Sequence, residues 1–411
     1  MIKFERFELS NGLKVIAHRD PTSPIVAMNI IYKVGSRDES VRRTGFAHLF
    51  EHLMFGGSTN IPKFDIPLEK AGGENNAFTN SDFTNYYLTI PKNNLEVAFW
   101  LESDRMNNLA FSQTSLDVQR QVVIEEFKQN YLNQPYGDAY LLLKPLAYKK
   151  HPYRWNTIGK EISHIEKASM NYVKSFYKKY YNPNNAIISI AGDISISEIE
   201  LLSKKWFEPI TVGEDIGNIY PIEPIQTKQR KKSVYRNVPQ NAIYMAWHMP
   251  KRADIEFYHC DLISDILSNG NSSRLFRKLV KEKSVFSEIN AFVTGDIDNG
   301  LFIIIGKLMD NKTMDMGVEA INNEINILSN ELVSEYEHEK VMNKIESNLI
   351  FSQISVLSKA MNLGYYELLG DAEKWNKELE IYRSIQRTDI LNTASKIFHA
   401  NNQNTLFYNR L

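Results

Sequence analysis

The 411-residue sequence predicts an α+β chain of two similar domains, each a mainly antiparallel sheet with helices packed on one face. Three observations carry that reading. In each half, short runs rich in β-branched and aromatic residues alternate with longer stretches of helical periodicity. Asn11-Gly12 lies between two such runs, a hairpin signal that requires antiparallel pairing. Residues 213–232 have no sustained periodicity, contain Pro221 and Pro224, and end in a basic run (Lys228, Arg230, Lys231, Lys232) that reads as a solvated linker. The expected division is 1–212, a linker at 213–232, and 233–411.

Met1 to Ser10 alternates polar and apolar residues and has no apolar core of a secretion signal. Ile25 to Val34 reads as a strand. Thr44 is a candidate N-cap for a helix in which Phe46, Leu49, Phe50, Leu53, Met54 and Phe55 recur near helical spacing, with Gly56-Gly57 as its stop. The stretch from Asn75 to Thr79 reads by itself as a turn and a strand, and Asn85 to Ile90 as a second strand. Thr114 to Gln134 is a helix capped by Thr114 or Ser115, favoured by Asp117 in its first turn and followed by Pro135. Ala186 to Ala191 closes the first half. Ala242 to Met249, Phe292 to Thr294, Leu301 to Lys307 and Thr405 to Tyr408 take comparable places in the second.

Composition narrows the functional classes. The chain is 43% hydrophobic and 24% charged, with a formal net charge of −1. That balance gives no reason to expect nucleic acid or a membrane surface. No apolar run reaches the ~18 residues of a spanning helix. Cys260 is the single cysteine, which excludes an intrachain disulfide and a cysteine-based zinc site, and it reads as a small buried hydrophobe. These features point to the cytoplasm, or to the periplasm if a signal has been removed.

The chemistry concentrates in His48-Leu49-Phe50-Glu51-His52. On a helix, residues i and i+4 lie one above the other, so both imidazoles can point at one metal with Glu51 near the same face. Two core histidines and a solvent-facing glutamate would be the bland alternative. Burying these groups together is costly without a partner, and a zinc ion is a suitable one. A catalytic zinc needs a third protein ligand. Glu126 shares a face with Val122, Val123 and Asn130 in the 114–134 helix, whereas Glu125 falls in a more polar sector.

This pattern resembles the pitrilysin/insulinase metallopeptidases (inverzincins), in particular the compact two-domain branch that includes the mitochondrial processing peptidase β-subunit and its bacterial relatives. Asn11-Gly12-Leu13-Lys14-Val15 is similar to the family's opening hairpin, and Gly45-Phe46-Ala47-His48 to its approach to the zinc helix. Gly72-Gly73 through Asn76-Ala77-Phe78-Thr79, His151-Pro152-Tyr153 and Tyr181-Asn182-Pro183 also match. The resemblance implies zinc (Zn2+) ligands at His48, His52 and Glu126, with Glu51 as general base. It implies an exposed strand at Asn76, Ala77 and Phe78 that binds an extended peptide by β-augmentation. Gln119 departs from the pattern, standing where the family often has a further acidic residue.

Gly270-Asn271-Ser272-Ser273-Arg274 is similar to the family's second-domain motif, but Lys281 and Ser287 stand where active single-chain members carry an arginine and a tyrosine. The resemblance therefore implies a metallopeptidase that works with a homologous non-zinc subunit, or as a homodimer. A non-catalytic structural or peptide-binding member of the same fold is the alternative.

Overall fold

The computed structural model describes residues 1–217 and 219–411, which divide into two compact units. Each contains one sheet. The fold class is the expected one: two mainly antiparallel sheets, each with packed helices.

Unit 1 comprises Met1–Phe127, Trp155–Tyr220 and Leu349–Lys377. Its strands are β1 (Glu5–Glu8), β2 (Lys14–Arg19), β3 (Ile25–Tyr32), β4 (Glu74–Thr79), β5 (Thr84–Pro91) and β6 (Ala186–Gly192), in the order β1-β2-β6-β3-β5-β4. Only β2 and β6 run parallel. β1 and β2 form the expected hairpin, in which Gly12 adopts φ +82°, a left-handed conformation that glycine takes at no steric cost. The Asn11 side chain donates to the Phe207 and Ile210 carbonyls and fastens this turn to the unit.

Unit 2 comprises Lys128–Arg154, Pro221–Asn348 and Glu378–Leu411. Its strands are β7 (Arg230–Arg236), β8 (Ala242–His248), β9 (Phe286–Val293), β10 (Leu301–Leu308) and β11 (Gln403–Arg410), in the order β7-β11-β8-β10-β9. Here β7 and β11 are the parallel pair. The basic run expected to finish the linker belongs in part to β7, because Arg230 to Lys232 pair with Asn404 to Leu406.

The units are not contiguous in sequence, and the reason is burial. β6 is buried at every position and β3 at all but its first, so both faces of the first sheet need cover. One cover comes from the second half of the chain, as the helix Val356–Leu368. Val356 and Ala360 pack on Ala27 and Ala191, while Leu363 and Tyr366 join Ile16 and Ile187. Gly364 permits the approach, since a Cβ there would lie 2.6 Å from Ser189 Oγ. The second sheet receives the helix Ala139–Ala147 from the first half, with Ala139, Leu143 and Ala147 against Ala242, Tyr244, Ala246 and Leu406. Each sheet thus carries helices on a second face as well as the expected one.

The cover of the first sheet is pinned by a buried ion pair, Lys359 Nζ to Asp20 Oδ2 at 2.5 Å. Burial pushes the Asp20 carboxyl up, but bonds from Lys359 and Thr22 and the nearby ammonium outweigh it and bring the pKa down to about 2. A depressed carboxylate stabilises the fold above its unfolded pKa, and that stability is lost as pH falls through the folded value. Asp20→Asn should therefore cost about 2 kcal/mol at neutral pH. The deficit relative to the parent should shrink as pH falls from about 4 toward 2, as denaturant titrations at each pH would record.

Candidate metal centre

His48, Glu51 and His52 lie on the eight-residue helix Phe46–Leu53. Its buried face (Phe46, Leu49, Phe50, Leu53) fixes its rotation. Phe50 stacks on Phe176 at 4.9 Å and on Tyr181 at 5.2 Å, and Phe46 meets Tyr172 edge-on. Tyr86 donates from below to the Phe50 carbonyl. Arg105 lies over Tyr86 and Phe64 and makes a two-pronged bond to Glu102 at 2.7 Å per prong.

Thr44 does not cap this helix. Gly45 occupies the N-cap with φ +88°, and the capping group is the buried Glu39, which accepts from Gly45 N–H at 2.9 Å and Ala47 N–H at 2.8 Å. Burial pushes the Glu39 carboxyl up, while the backbone donors of Ala47, Gly45 and Phe46 oppose it. Thr44 instead turns to His164, with its Oγ1 2.9 Å from Nδ1.

Glu126 lies near the end of the helix Gln113–Phe127, which is shorter than expected and passes into a π-turn at Lys128–Leu132. Leu116, Val123, Ile124 and Phe127 are its buried residues. Val122, expected beside Glu126 on an apolar face, is exposed, and so is Glu125. The half-buried Glu126 faces the two histidines.

Glu126 Oε2 is 3.6 Å from His48 Nε2 and 3.5 Å from His52 Nε2. One donor atom from each of the three residues lies within 4.8 Å of the others. Three donors at about 2.0–2.2 Å from a tetrahedral zinc stand roughly 3.3–3.5 Å apart, so the two spacings from Glu126 to the histidines are close to what the ion needs. Burial, partly offset by Glu126 and reinforced by His52, lowers the His48 pKa to about 4, which leaves its ring neutral at physiological pH as a metal ligand must be. The neutral ring gains no ion pair from Glu126, and His48 Nδ1 is buried without a hydrogen-bond partner. It is Nε2 that faces Glu126, so a cation among the two Nε2 atoms and the Glu126 oxygen would meet two neutral donors and one anionic one.

Glu51 is outside the trio and half-buried beside it. Burial raises its pKa, opposed by a hydrogen bond from the Thr79 side chain and by His52, while Glu126 raises it further. Thr79 ends β4, so one residue links the carboxylate to the strand that carries Asn76, Ala77 and Phe78. That strand is the edge of its sheet and pairs only with β5. Asn76 Oδ1 accepts the Ala77 N–H at 2.8 Å, and the Phe78 ring rests against Phe83. Glu39 and Thr79 were not singled out in the sequence as partners of the motif. Each depends on a loop or strand end whose position only the fold supplies.

In unit 2, Arg274 is held by Glu337 through bonds of 2.7 and 2.9 Å. Those bonds bring the Glu337 pKa to about 2. Lys281 lies over the Phe276 ring, and Ser287 Oγ donates to Gln240 Oε1 and to the Lys307 carbonyl. Among the described residues, no helix is long and apolar enough to cross a membrane.

Comparison with known proteins bears on this geometry. Residues 14–154 match the family described as Insulinase (Peptidase family M16), and residues 167–345 match the Peptidase M16 inactive domain. The zinc protease PqqE of Helicobacter pylori is 28% identical over 98% of this chain and 92% of its own length. An uncharacterized zinc protease of Bacillus subtilis, YmxG, is 25% identical over 90% of this chain and 88% of its own. A solved protease structure from Helicobacter pylori superposes with a TM-score of 0.94 at 26% identity, covering 99% of this chain and 100% of that one. An M16 inactive-domain structure from Pseudomonas fluorescens, 17% identical, shares the fold with a TM-score of 0.89 over 100% and 98% of the two chains. With both halves matched in order and the relatives spanning nearly its full length, the chain belongs to the insulinase (M16) peptidase family.

Proposed function

We propose that this chain is a zinc-dependent endopeptidase acting on extended peptides or presequence-like segments. The observation that carries the reading is the convergence of His48, His52 and Glu126 with Glu51 held beside them by Thr79. His48 and His52 offer neutral nitrogens and Glu126 an anionic oxygen, a donor set that leaves a fourth tetrahedral position open. When bound, zinc would act as a Lewis acid and make water a nucleophile near neutral pH. Glu51 takes the proton from the attacking water at its carboxylate and passes it to the departing amine. β4 aligns the substrate, its free edge at Asn76, Ala77 and Phe78 adding the peptide backbone as a further strand. Because Thr79 belongs to the same strand, the edge that aligns the peptide also sets the position of the base.

Zinc retention and hydrolysis separate these roles. Glu126→Gln should lose most bound zinc by metal analysis, since a neutral amide is a poorer ligand. Glu51→Gln should keep stoichiometric zinc and lose nearly all peptide hydrolysis. Full zinc in the first variant would transfer the ligand role elsewhere, and substantial turnover by the second would remove Glu51 as base.

The same reading extends to assembly. No arginine–tyrosine pair stands at the 281 and 287 positions, and Arg274, Lys281 and Ser287 are each engaged within unit 2. This absence also favours the second reading, a peptide-binding member without catalysis. Losing one donor to the developing oxyanion costs on the order of a hundredfold or more. The isolated chain should therefore bind zinc yet cleave slowly, and a homologous subunit carrying the pair should raise the rate by at least that factor. Ordinary turnover by the chain alone, with no gain from the partner, would contradict the heterodimer. Stoichiometric zinc with no cleavage in either condition would favour the non-catalytic reading.

A further inference from the structure

Next to the start of the metal-site helix, unit 1 holds a cavity of about 450 Å³ with a strongly one-sided chemistry. Arg42, Arg43, Lys167 and His164 line it, together with the hydroxyls of Ser163 and Ser169. Arg43 is kept in place by its guanidinium lying 4.2 Å from the Tyr172 ring centroid. Among the described residues, neither Arg42 nor Lys167 has an ion-pair partner. The single carboxylate in the lining, Glu161, forms an exposed ion pair with Lys160 at 3.5 Å. In a chain whose formal net charge is −1, this is a local excess of three fixed cations over one committed anion.

His164 adds a donor whose direction is set by its neighbours. The Thr44 N–H donates to Nδ1 at 3.2 Å, so Nδ1 is an acceptor and the ring proton resides on Nε2. Thr44 Oγ1 is 2.9 Å from the same nitrogen and accepts the Lys160 N–H at 2.8 Å, which fixes the ring's orientation. Ser169 Oγ accepts the Tyr172 N–H as a helix cap, leaving its hydroxyl proton free to donate. Apart from Glu161, the charged and imidazole groups of the lining are therefore donors, the complement of an oxyanion with several acceptor oxygens.

We propose that this cavity binds a multivalent oxyanion of the phosphate class, as free phosphate or as the phosphate group of a small ester. The volume is far more than a phosphate ion fills, and Phe46 and Tyr172 give the remaining wall an aromatic surface. The proposal does not rest on the peptidase reading.

The test is isothermal titration of the full zinc-loaded chain with inorganic phosphate and, separately, with AMP, at ionic strength matched with chloride. Saturable binding of one anion per chain is expected. In Arg43→Gln/Lys167→Gln the affinity should fall at least about tenfold, since hydrogen bonds to charged groups are the strong ones. Tighter binding of AMP than of phosphate would identify an ester as the ligand, and equal or weaker binding the free ion. Absence of saturable heat with either probe would overturn the proposal. Undiminished affinity in the double variant would do the same, because the anion would then be bound at the metal or nonspecifically. If the double variant fails to fold, Lys167→Gln alone removes an exposed cation without disturbing the Tyr172 stack and decides the matter.

Discussion

A helix of eight residues does not hold its shape alone in water, because its few hydrogen bonds barely repay nucleation. The candidate metal centre rests on such a helix, so its geometry is imposed from outside. Glu39 seizes the N-terminal N–H groups, and Phe46 and Phe50 wedge the apolar face among Tyr172, Phe176 and Tyr181. Once the rotation is fixed, i and i+4 spacing places both imidazoles toward Glu126. The second helix needs less precision, since it contributes one carboxylate close to where its regular turns give way to a π-turn.

The electrostatics follow from that packing. Burial keeps His48 neutral and raises Glu51, which are the protonation tendencies of a ligand and a base. The protein holds these groups together through the surrounding scaffold, with Thr79, Tyr86 and Glu39 as polar attachments of the helix. Further out, the fold meets its larger requirement, cover for two sheets whose central strands are buried on both faces, by exchanging helices between the halves of the chain. Lys359 and Asp20 fasten one of those exchanges.

Much of this was legible in the sequence, and the reasons differ by residue. His48, Glu51 and His52 are legible because one helical turn relates them, whereas of the neighbours that singled out Glu126 only Val123 is buried. Val122 misled because a lone apolar residue does not reveal which face is wet. The capping role was assigned to Thr44 on local chemistry, but Gly45 takes the left-handed conformation and a more distant carboxylate does the capping. Two-faced burial was in fact written in the run from Ala186 to Ala191, apolar at every position but Ser189, whereas the identity of the second cover was not. A helix that packs on a sheet more than 150 residues away leaves no local periodic mark.

The central claim is that the three converging side chains hold zinc. Its most direct test is an anomalous difference map, recorded at the zinc edge, from crystals of the chain purified with zinc. The account predicts one peak per chain at about 2.0–2.2 Å from His48 Nε2, His52 Nε2 and a Glu126 oxygen. A peak coordinated by other residues, or ordered histidines with Glu126 turned away and no peak between them, would contradict it.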